Sequence, residues 1–293
     1  MAVDLTGLVS HWKLNEASGN AVDSHGSNTL TETSGTIASA TGKLDGARDF
    51  EAGDTERFVI ADNAGLSITG NCTICAWVNA ESFGSNPNII AAKYTTTGNQ
   101  RSYRLNQTVT NGRPSFGVSQ TGTAETASAT WGSNLSTGTW YFVCGRYDGT
   151  NVSISVNAGT PVTTAYSSGI FDSTAPFLLG AQLDNDFSGT DYDGLIDSVS
   201  LWSRALTDDE VTTLYNSGFG RDYPFITSVE ALPPTNALTL TTYAPVISHS
   251  INTPANALTL TTYAPTVVVG GGGGGFDLAV NLYQLGISMR HGM

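Results

Sequence analysis

Few residues in this sequence have the types and spacing that catalysis requires. Glu51, Asp54 and Glu56 are close enough along the chain to suggest the paired carboxylates that cleave a glycosidic bond. Asp54, the middle acid, is misplaced for the Glu-x-Asp-x-(x)-Glu arrangement that sets an acid and a nucleophile on one strand. A solvated turn is therefore favoured. The histidines are scattered, and nucleophile, phosphate-loop, dinucleotide and zinc motifs are absent. We predict that the protein is not an enzyme.

Sugar binding is a second kind of chemistry that the residue types allow. Sites for such ligands combine aromatic surface with a few amide, acid or guanidinium groups. Side chains of these types occur in segments expected to be loops: Tyr94, Asn99, Arg101, Trp131, Asp184 and Asp186. Ordinary loop composition is the alternative explanation. These six residues are the predicted carbohydrate-binding site, with cell-surface glycans as the candidate ligands.

The charge restricts the class of partner. The chain of 293 residues has a formal net charge of −13, all of it carried by residues 1–230. A surface this acidic repels nucleic-acid phosphates and anionic membranes, and it suits neutral or cationic partners and hard cations. We exclude a nucleic-acid partner.

The sequence shows neither an export signal nor a membrane span. Its first residues lack a basic and an apolar region, and no stretch approaches the roughly 18 apolar residues that a span needs. We expect no membrane insertion.

The three cysteines do not suggest a disulfide framework. Cys72 and Cys75 are three positions apart, which places them on opposite faces of a strand, and Cys144 is distant in sequence. We predict buried free thiols that behave as small hydrophobic residues.

The pattern from residue 8 to about residue 204 is typical of an all-β protein. Short alternating runs are separated by Gly, Asn, Asp or Ser, as in an antiparallel sandwich or barrel. The clearest predicted strands are residues 9–14, 57–60, 73–78, 140–146, 152–156 and 196–202.

One helix is predicted over residues 205–216. Thr207 and Glu210 form a capping box, and Val211, Leu214 and Tyr215 make an apolar face at helical spacing. This helix should pack on the sandwich as a closing element.

Five motifs, in order, carry a family resemblance over roughly 215 residues. They are residues 7–16, 42–50, 73–78, 138–149 and 193–206. Together they resemble laminin-G-like, concanavalin A-like jelly-roll domains. The resemblance implies a two-sheet antiparallel jelly-roll sandwich over residues 1–226. It also implies that four tryptophans are structural: Trp12, Trp77, Trp140 and Trp202.

The resemblance also implies a calcium site. Domains of this kind often hold calcium between the loop after the first strand and the acidic closing motif. The matching residues here are Asp23 and Asn28, with Asp191 and Asp193. Calcium takes six to eight hard oxygen ligands, which these side chains offer. The alternative is that Asp23 and Asp193 only make turn hydrogen bonds.

The C-terminal segment differs in composition. Residues 231–276 contain no Asp, Glu, Lys or Arg, and the sequence Asn-Ala-Leu-Thr-Leu-Thr-Thr-Tyr-Ala-Pro occurs at 236–245 and 256–265. We assign residues 227–269 to two strand-prone 20-residue repeats, which resemble low-complexity tails of bacteriophage structural proteins. Residues 270–275 are a glycine tether.

Residues 276–293 form a predicted docking peptide. Residues 276–288 alternate as a strand would, and a helix remains open. Strand addition or groove binding would suit either form. The assembly residues predicted in the repeats and in this peptide are Leu238, Leu240, Tyr243, Leu258, Leu260, Tyr263, Phe276, Leu278, Val280 and Leu282.

Two functions remain after these exclusions. The first is a non-enzymatic surface-display protein of a bacteriophage virion, with the lectin-like domain outward and the repeats binding other copies and other virion proteins. The absence of a visible export signal favours this localisation, because virions leave cells by lysis. The alternative is a secreted bacterial carbohydrate-binding module or adhesin at the cell surface.

Overall fold

In the computed structural model of the protein, residues 3–54, 56–84, 87–109, 111–183 and 191–225 are described. The chain divides into two units, Met1–Ile226 and Thr227–Met293, and all described residues belong to the first. The predicted repeats, tether and docking peptide, with their ten assembly residues, lie outside the described residues.

Fifteen strands form two antiparallel sheets within the described residues. In chain order they are β1 Leu8–Trp12, β2 Thr31–Thr33, β3 Ala38–Thr41, β4 Gly46–Phe50, β5 Arg57–Ile60, β6 Cys72–Ala80, β7 Asn88–Thr95, β8 Gln100–Gln107, β9 Pro114–Val118, β10 Ala127–Thr130, β11 Tyr141–Tyr147, β12 Asn151–Val156, β13 Val162–Ala165, β14 Phe177–Leu179 and β15 Gly194–Trp202. The eight-stranded sheet has the order β13-β12-β11-β6-β15-β4-β3, and β1 also pairs with β15. The seven-stranded sheet has the order β10-β9-β8-β7-β14-β5-β2. The predicted two-sheet antiparallel architecture is confirmed.

Apolar side chains fill the space between the sheets. Trp12 of β1 is fully buried, and its ring stacks on Phe177 of β14 at 5.2 Å. Gly145 of β11 lies against the opposite sheet, where an added Cβ would be 2.4 Å from Cγ of Phe116 in β9. A side chain at position 145 would therefore push the two sheets apart.

The predicted helix is α1, Asp208–Tyr215. Its capping box is present, because Thr207 Oγ1 accepts from Glu210 N at 3.2 Å and Glu210 Oε2 accepts from Thr207 N at 2.9 Å. These bonds satisfy backbone donors that have no partner inside the helix. No helix within the described ranges is long and apolar enough to cross a membrane.

Helix α1 covers the outer face of the eight-stranded sheet. Val211 and Leu214 are buried there, and the Tyr215 ring stacks on Trp77 at 5.8 Å. The apolar cluster beneath the helix includes Leu8, Cys75, Trp77, Phe142, Cys144 and Trp202. Trp140 packs against the same cluster, so all four tryptophans expected to be structural lie in apolar surroundings.

Residues 221–225, which we call the C-terminal strap, cover the same face. Phe225 is buried beside Trp202, with ring centroids 6.2 Å apart. Tyr223 stacks on His11 at 5.3 Å, and Phe225 meets the same imidazole edge to face at 5.0 Å. Burial lowers the pKa of His11 to about 3, so this imidazole is neutral at neutral pH.

The prediction of three free thiols is wrong for two of them. Cys75 and Cys144 face each other directly in the β6–β11 pairing and form a disulfide. Cys72 is free and lies in the core between the sheets, on the face opposite to Cys75, as expected. Burial raises the pKa of its thiol. The pairing could not be inferred from spacing, because 69 residues separate the two partners and only the strand register aligns them.

Candidate functional site

Three of the six predicted sugar-binding residues meet at one end of the β7–β8 pair. Tyr94 and Arg101 are partners in the register of these strands, and Asn99 lies in the short helical turn Thr97–Asn99 between them. The expectation that Tyr94 and Arg101 lie in loops is wrong, since both are strand residues. Strands hold their side chains more rigidly than loops would.

Arg101 is held in place by oxygen acceptors that carry no formal charge. Its Nη1 donates to Oδ1 of Asn99 at 3.3 Å, to the carbonyl of Gly122 at 2.9 Å and to that of Thr123 at 2.7 Å. The guanidinium carbon lies 5.9 Å from the centre of the Tyr94 ring. Among the described residues no carboxylate forms an ion pair with Arg101.

Arg104 lies closer to the same ring and was not identified from the sequence. Its guanidinium carbon is 4.6 Å from the Tyr94 centroid. Nε donates to Oε2 of Glu125 at 2.8 Å, and Nη1 donates to Oε1 of Gln182 at 3.3 Å. Strand alternation was the available signal, because Tyr103 and Leu105 point into the core and position 104 must therefore point outward.

A glycine makes room for this arrangement. Gly117 of β9 is the register partner of Arg104, and an added Cβ would lie 2.3 Å from Oε2 of Glu125. The Glu125 carboxylate therefore lies directly over the backbone of β9, where it can reach Arg104. We call the group Tyr94, Arg101, Arg104, Glu125 and Gln182 the binding face.

The binding face offers hydrogen bonds rather than an aromatic platform. Tyr94 is only 5% exposed, so its ring does not provide the open stacking surface that was expected. Burial raises the pKa of Tyr94, although the charge of Arg104 opposes this rise. Guanidinium donors beside carboxylate and amide acceptors match a ligand with many hydroxyl groups.

The remaining predicted sugar-binding residues do not join this group. Trp131 donates its backbone N–H to the carbonyl of Pro114, at the end of β9 that pairs with Gln107. Arg101 is at the other end of β8, about 20 Å away at ~3.3 Å per strand residue. Asp184 and Asp186 lie outside the described residues.

Asp23, predicted as a calcium ligand, has a structural role. Its Oδ1 accepts from the backbone N–H groups of His11, His25 and Gly26, and its Oδ2 accepts from Asn28 N at 2.9 Å. Burial raises its pKa, but these four hydrogen bonds outweigh burial and leave the pKa below its usual value. These are the turn hydrogen bonds that the alternative interpretation predicts for this carboxylate.

The four predicted calcium ligands do not converge. Asp23 forms an isolated β-bridge with Trp12, and Trp12 pairs with Val199 in the middle of β15. Asp191 and Asp193, in contrast, precede Gly194, the first residue of that strand. At ~3.3 Å per residue, roughly 20 Å separates the two groups. Asn28 belongs with Asp23, because its backbone N–H donates to Asp23 Oδ2 at 2.9 Å.

Asp191 is an unusual buried acid. It is 2% exposed, and neither carboxylate oxygen has a hydrogen-bond partner among the described residues. Burial raises its pKa to about 6. Its carboxylate is not part of the cluster formed by Asp49, Glu51 and Glu81.

A different acidic group does converge. Asp49, Glu51 and Glu81 each place a carboxylate oxygen within 4.8 Å of the other two, and we call them the acidic rim. Strand β15 brings them together, because Gly194 pairs with Phe50 of β4 on one side and with Ala80 of β6 on the other.

Burial and mutual repulsion affect the protonation of the acidic rim. Burial raises the pKa of Asp49, and the nearby Asp193 raises it further. The pKa of Glu51 is raised by burial and then by Asp49, Asp193 and Glu81. Oδ1 of Asp49 is buried and has no hydrogen-bond partner within the part of the chain that the structure describes. Clustered carboxylates with an unpaired oxygen fit a hard cation such as Ca²⁺.

Asp193 borders the acidic rim without belonging to it. Its carbonyl accepts from Glu81 N at 2.9 Å, and its Oδ1 accepts from Ala52 N at 3.3 Å. Ser82 Oγ donates to its other carboxylate oxygen. Of the predicted ligands, Asp193 is thus the one placed near this acidic group.

Solved structures of low sequence identity share the fold. Domain 4 of an extracellular arabinanase from Geobacillus stearothermophilus, solved with arabinotriose, has a TM-score of 0.54 and 20% identity over 72% of this chain and 98% of its own. The binding domain of botulinum neurotoxin DC, solved with rat synaptotagmin II, has a TM-score of 0.56 and 13% identity. This match covers 72% of this chain and 52% of the toxin chain. The Trypanosoma rangeli sialidase has a TM-score of 0.54 and 13% identity, and the match covers 75% of this chain and 35% of the sialidase chain.

The chain matches no curated protein sequence. Residues 52–212, which are more than half of the chain, match the family described as the concanavalin A-like lectin/glucanases superfamily. The matched range extends from the loop after β4 into helix α1 and includes every residue of the binding face. The chain belongs to the concanavalin A-like lectin/glucanases superfamily.

Proposed function

We propose that the jelly-roll domain is a non-enzymatic carbohydrate-binding module that uses the binding face. The observation that carries the proposal is the constellation around Tyr94. Arg101 and Arg104 both lie on β8, Arg101 has no ion pair with a carboxylate of the described residues, and Glu125, just before β10, pairs with Arg104. An arabinanase domain of similar fold was solved with arabinotriose, which supports a sugar as the class of ligand.

A glycan panel with matched arginine variants tests this proposal. We expect Arg104→Ala to weaken binding of any retained glycan at least tenfold, because it removes donors on the binding face. Arg113→Ala is the control, since Arg113 donates to the Trp131 carbonyl at the other end of the sheet. Equal affinities of both variants and the unmodified protein would refute the proposal, as would a panel without any bound glycan.

The absence of catalysis is part of the proposal. The acidic rim carries three carboxylates, which is the chemistry of glycoside hydrolysis as well as of metal binding. We expect no new reducing ends when the protein is incubated with a panel of polysaccharides. Hydrolysis that disappears in Glu81→Gln would show that the acidic rim is an active site.

Calcium at the acidic rim is the proposed structural cofactor. The ion would neutralise three clustered carboxylates and engage the unpaired oxygen of Asp49. At a free calcium concentration one hundred times its Kd, binding stabilises the fold by about 2.7 kcal/mol. EDTA should therefore lower the Tm of the unmodified protein.

The calcium test has a matched pair of variants. Glu81→Gln should abolish the effect of EDTA on the Tm, whereas Asp45→Asn, which removes one exposed negative charge elsewhere, should preserve it. A Tm that EDTA leaves unchanged in the unmodified protein would argue against the site.

Display on a bacteriophage virion is the proposed setting. It is supported by the uncharged, strand-prone repeats at 236–245 and 256–265 in the same chain as a lectin-type domain. Deleting residues 231–293 should leave a soluble monomer that no longer enters particles. A secreted carbohydrate-binding module or adhesin is the alternative, and a neighbouring glycanase gene in place of capsid or tail genes would favour it.

A further inference from the structure

A side cleft opens on the outer face of the eight-stranded sheet, beyond the start of helix α1. Its volume is about 280 Å³, and Arg146, Ser153, Thr163, Leu206 and Asp208 contribute to its walls. This is close to the lower end of the volumes of small-molecule sites, about 300 Å³. A single sugar ring is a ligand of suitable size.

The floor of the side cleft follows from strand register. Thr163 of β13 pairs with Ser153 of β12, Ser153 pairs with Arg146 of β11, and Arg146 pairs with Thr73 of β6. Directly opposed residues share a face of the sheet. Three polar side chains from neighbouring strands therefore point into the same opening.

The wall formed by the loop before α1 is held rigidly. Leu206 N donates to Thr73 Oγ1 at 3.0 Å, and the same hydroxyl donates to the Arg204 carbonyl at 2.7 Å. Nη1 of Arg146 donates to the Leu206 carbonyl at 2.8 Å. The cleft is therefore largely preformed, which reduces the entropy lost on binding.

The chemistry of the lining is mixed. Arg146 is 7% exposed, and its Nη2 lies 2.7 Å from Oδ1 of Asp208. The hydroxyls of Ser153 and Thr163 add donors and acceptors, while Pro161 and Leu206 add apolar surface. Asp148 also lines the cleft. Two carboxylates against one guanidinium disfavour an anionic ligand.

We propose that the side cleft is a second binding pocket, which takes one neutral sugar ring or a cyclic polyol of similar size. Ring hydroxyls would donate to Asp208 and accept from Arg146, and the C–H edge of the ring would lie against Pro161 and Leu206. The pocket is on the sheet opposite to the binding face and does not depend on it.

Calorimetric titration of the full chain with free neutral hexoses and pentoses tests the proposal. At least one should bind, with a Kd on the order of 1 mM. Thr163→Phe should weaken this binding at least tenfold by filling the cleft. Thr164→Phe is the matched control, because Thr164 is also exposed on β13 but bonds to the Ser128 carbonyl on the other side.

Two further arms separate this pocket from the binding face. Arg104→Ala should leave monosaccharide binding unchanged, and Ser153→Ala should weaken it without altering the fold. The proposal is overturned if no neutral monosaccharide binds, if Thr163→Phe binds as the unmodified protein does, or if Arg104→Ala abolishes binding. Preference for a uronic acid over the matching neutral sugar would overturn the assigned ligand class.

Discussion

The two sheets of this domain use their outer faces differently. The outer face of the eight-stranded sheet carries large apolar side chains, including Trp77 and Trp202, and the chain covers them with α1 and the C-terminal strap. On the seven-stranded sheet, the separate apolar cluster consists of Ile89, Ala92 and Tyr94 alone, and charged groups lie beside it.

This difference separates stability from binding. Removing apolar surface from water stabilises the fold, whereas solvent-accessible ion pairs contribute little. The face of the eight-stranded sheet therefore belongs mainly to the folding of the domain, apart from the side cleft and the acidic rim. The polar face of the other sheet is free to be specialised for a ligand.

The largest expected effect is the loss of a tryptophan from the covered face. Trp202 is fully buried beside Phe225, so Trp202→Ala should lower the free energy of unfolding by about 3 to 5 kcal/mol. Urea denaturation measures this change. A loss below 1 kcal/mol would mean that α1 and the strap do not seal this face.

Acid should destabilise the covered face through His11. The unfolded chain takes up a proton below pH 6.5, but folded His11 does so only near its pKa of about 3. The free energy of unfolding should therefore fall as the pH falls from 6.5 towards 3, by roughly 2 to 3 kcal/mol at pH 4.5.

His11→Phe isolates this effect from other titrations. The variant keeps a ring against Tyr223 and Phe225, and neither nitrogen of His11 has a hydrogen-bond partner in the described ranges. Relative to His11→Phe, the unmodified protein should become progressively less stable below pH 6.5. A stability difference that is constant between pH 7 and 4.5 would contradict the assignment.

A smaller effect on stability is expected at the binding face. Arg104 and Glu125 are partly exposed, so Arg104→Ala should cost less than about 1 kcal/mol of stability. The same variant should lose glycan affinity. A stability loss as large as that of Trp202→Ala would show that this face is structural as well.

The smallest stability change is expected for Gly117→Ala. The new methyl group would displace the partly exposed end of the Glu125 side chain, so the free energy of unfolding should change by about 0.5 kcal/mol or less. Glycan affinity should fall, because Arg104 loses its positioned partner. Unchanged affinity would show that the position of Glu125 does not matter for binding.

The sequence predicted best where local signals determine structure. Alternation identified β5 at its observed bounds, and Thr207 with Glu210 identified the start of α1. Strands such as β8, whose sequence is Gln-Arg-Ser-Tyr-Arg-Leu-Asn-Gln, do not stand out as apolar runs. Ser102, Asn106 and Gln107 of this strand are nevertheless buried, which depends on neighbouring strands and is not visible locally.

The sites depended still more on long-range register. The Arg104–Glu125 pair joins residues 21 positions apart, and the acidic rim combines the ends of β4 and β6 on the two sides of β15. The resemblance placed calcium ligands at Asp23, but local turn bonds occupy that carboxylate. The sequence indicated which residue types form the candidate sites, but it showed only in part which of these residues lie together in the fold.

One NMR titration tests the division between the two faces most directly. A glycan retained from the panel would be added to isotope-labelled protein while backbone amide shifts are followed. Binding at the proposed face predicts that the largest shifts occur at Tyr94, Arg101, Arg104, Gly117 and Glu125, with α1 and the C-terminal strap unaffected. Largest shifts in α1 and the strap, with none around Arg104, would contradict the account.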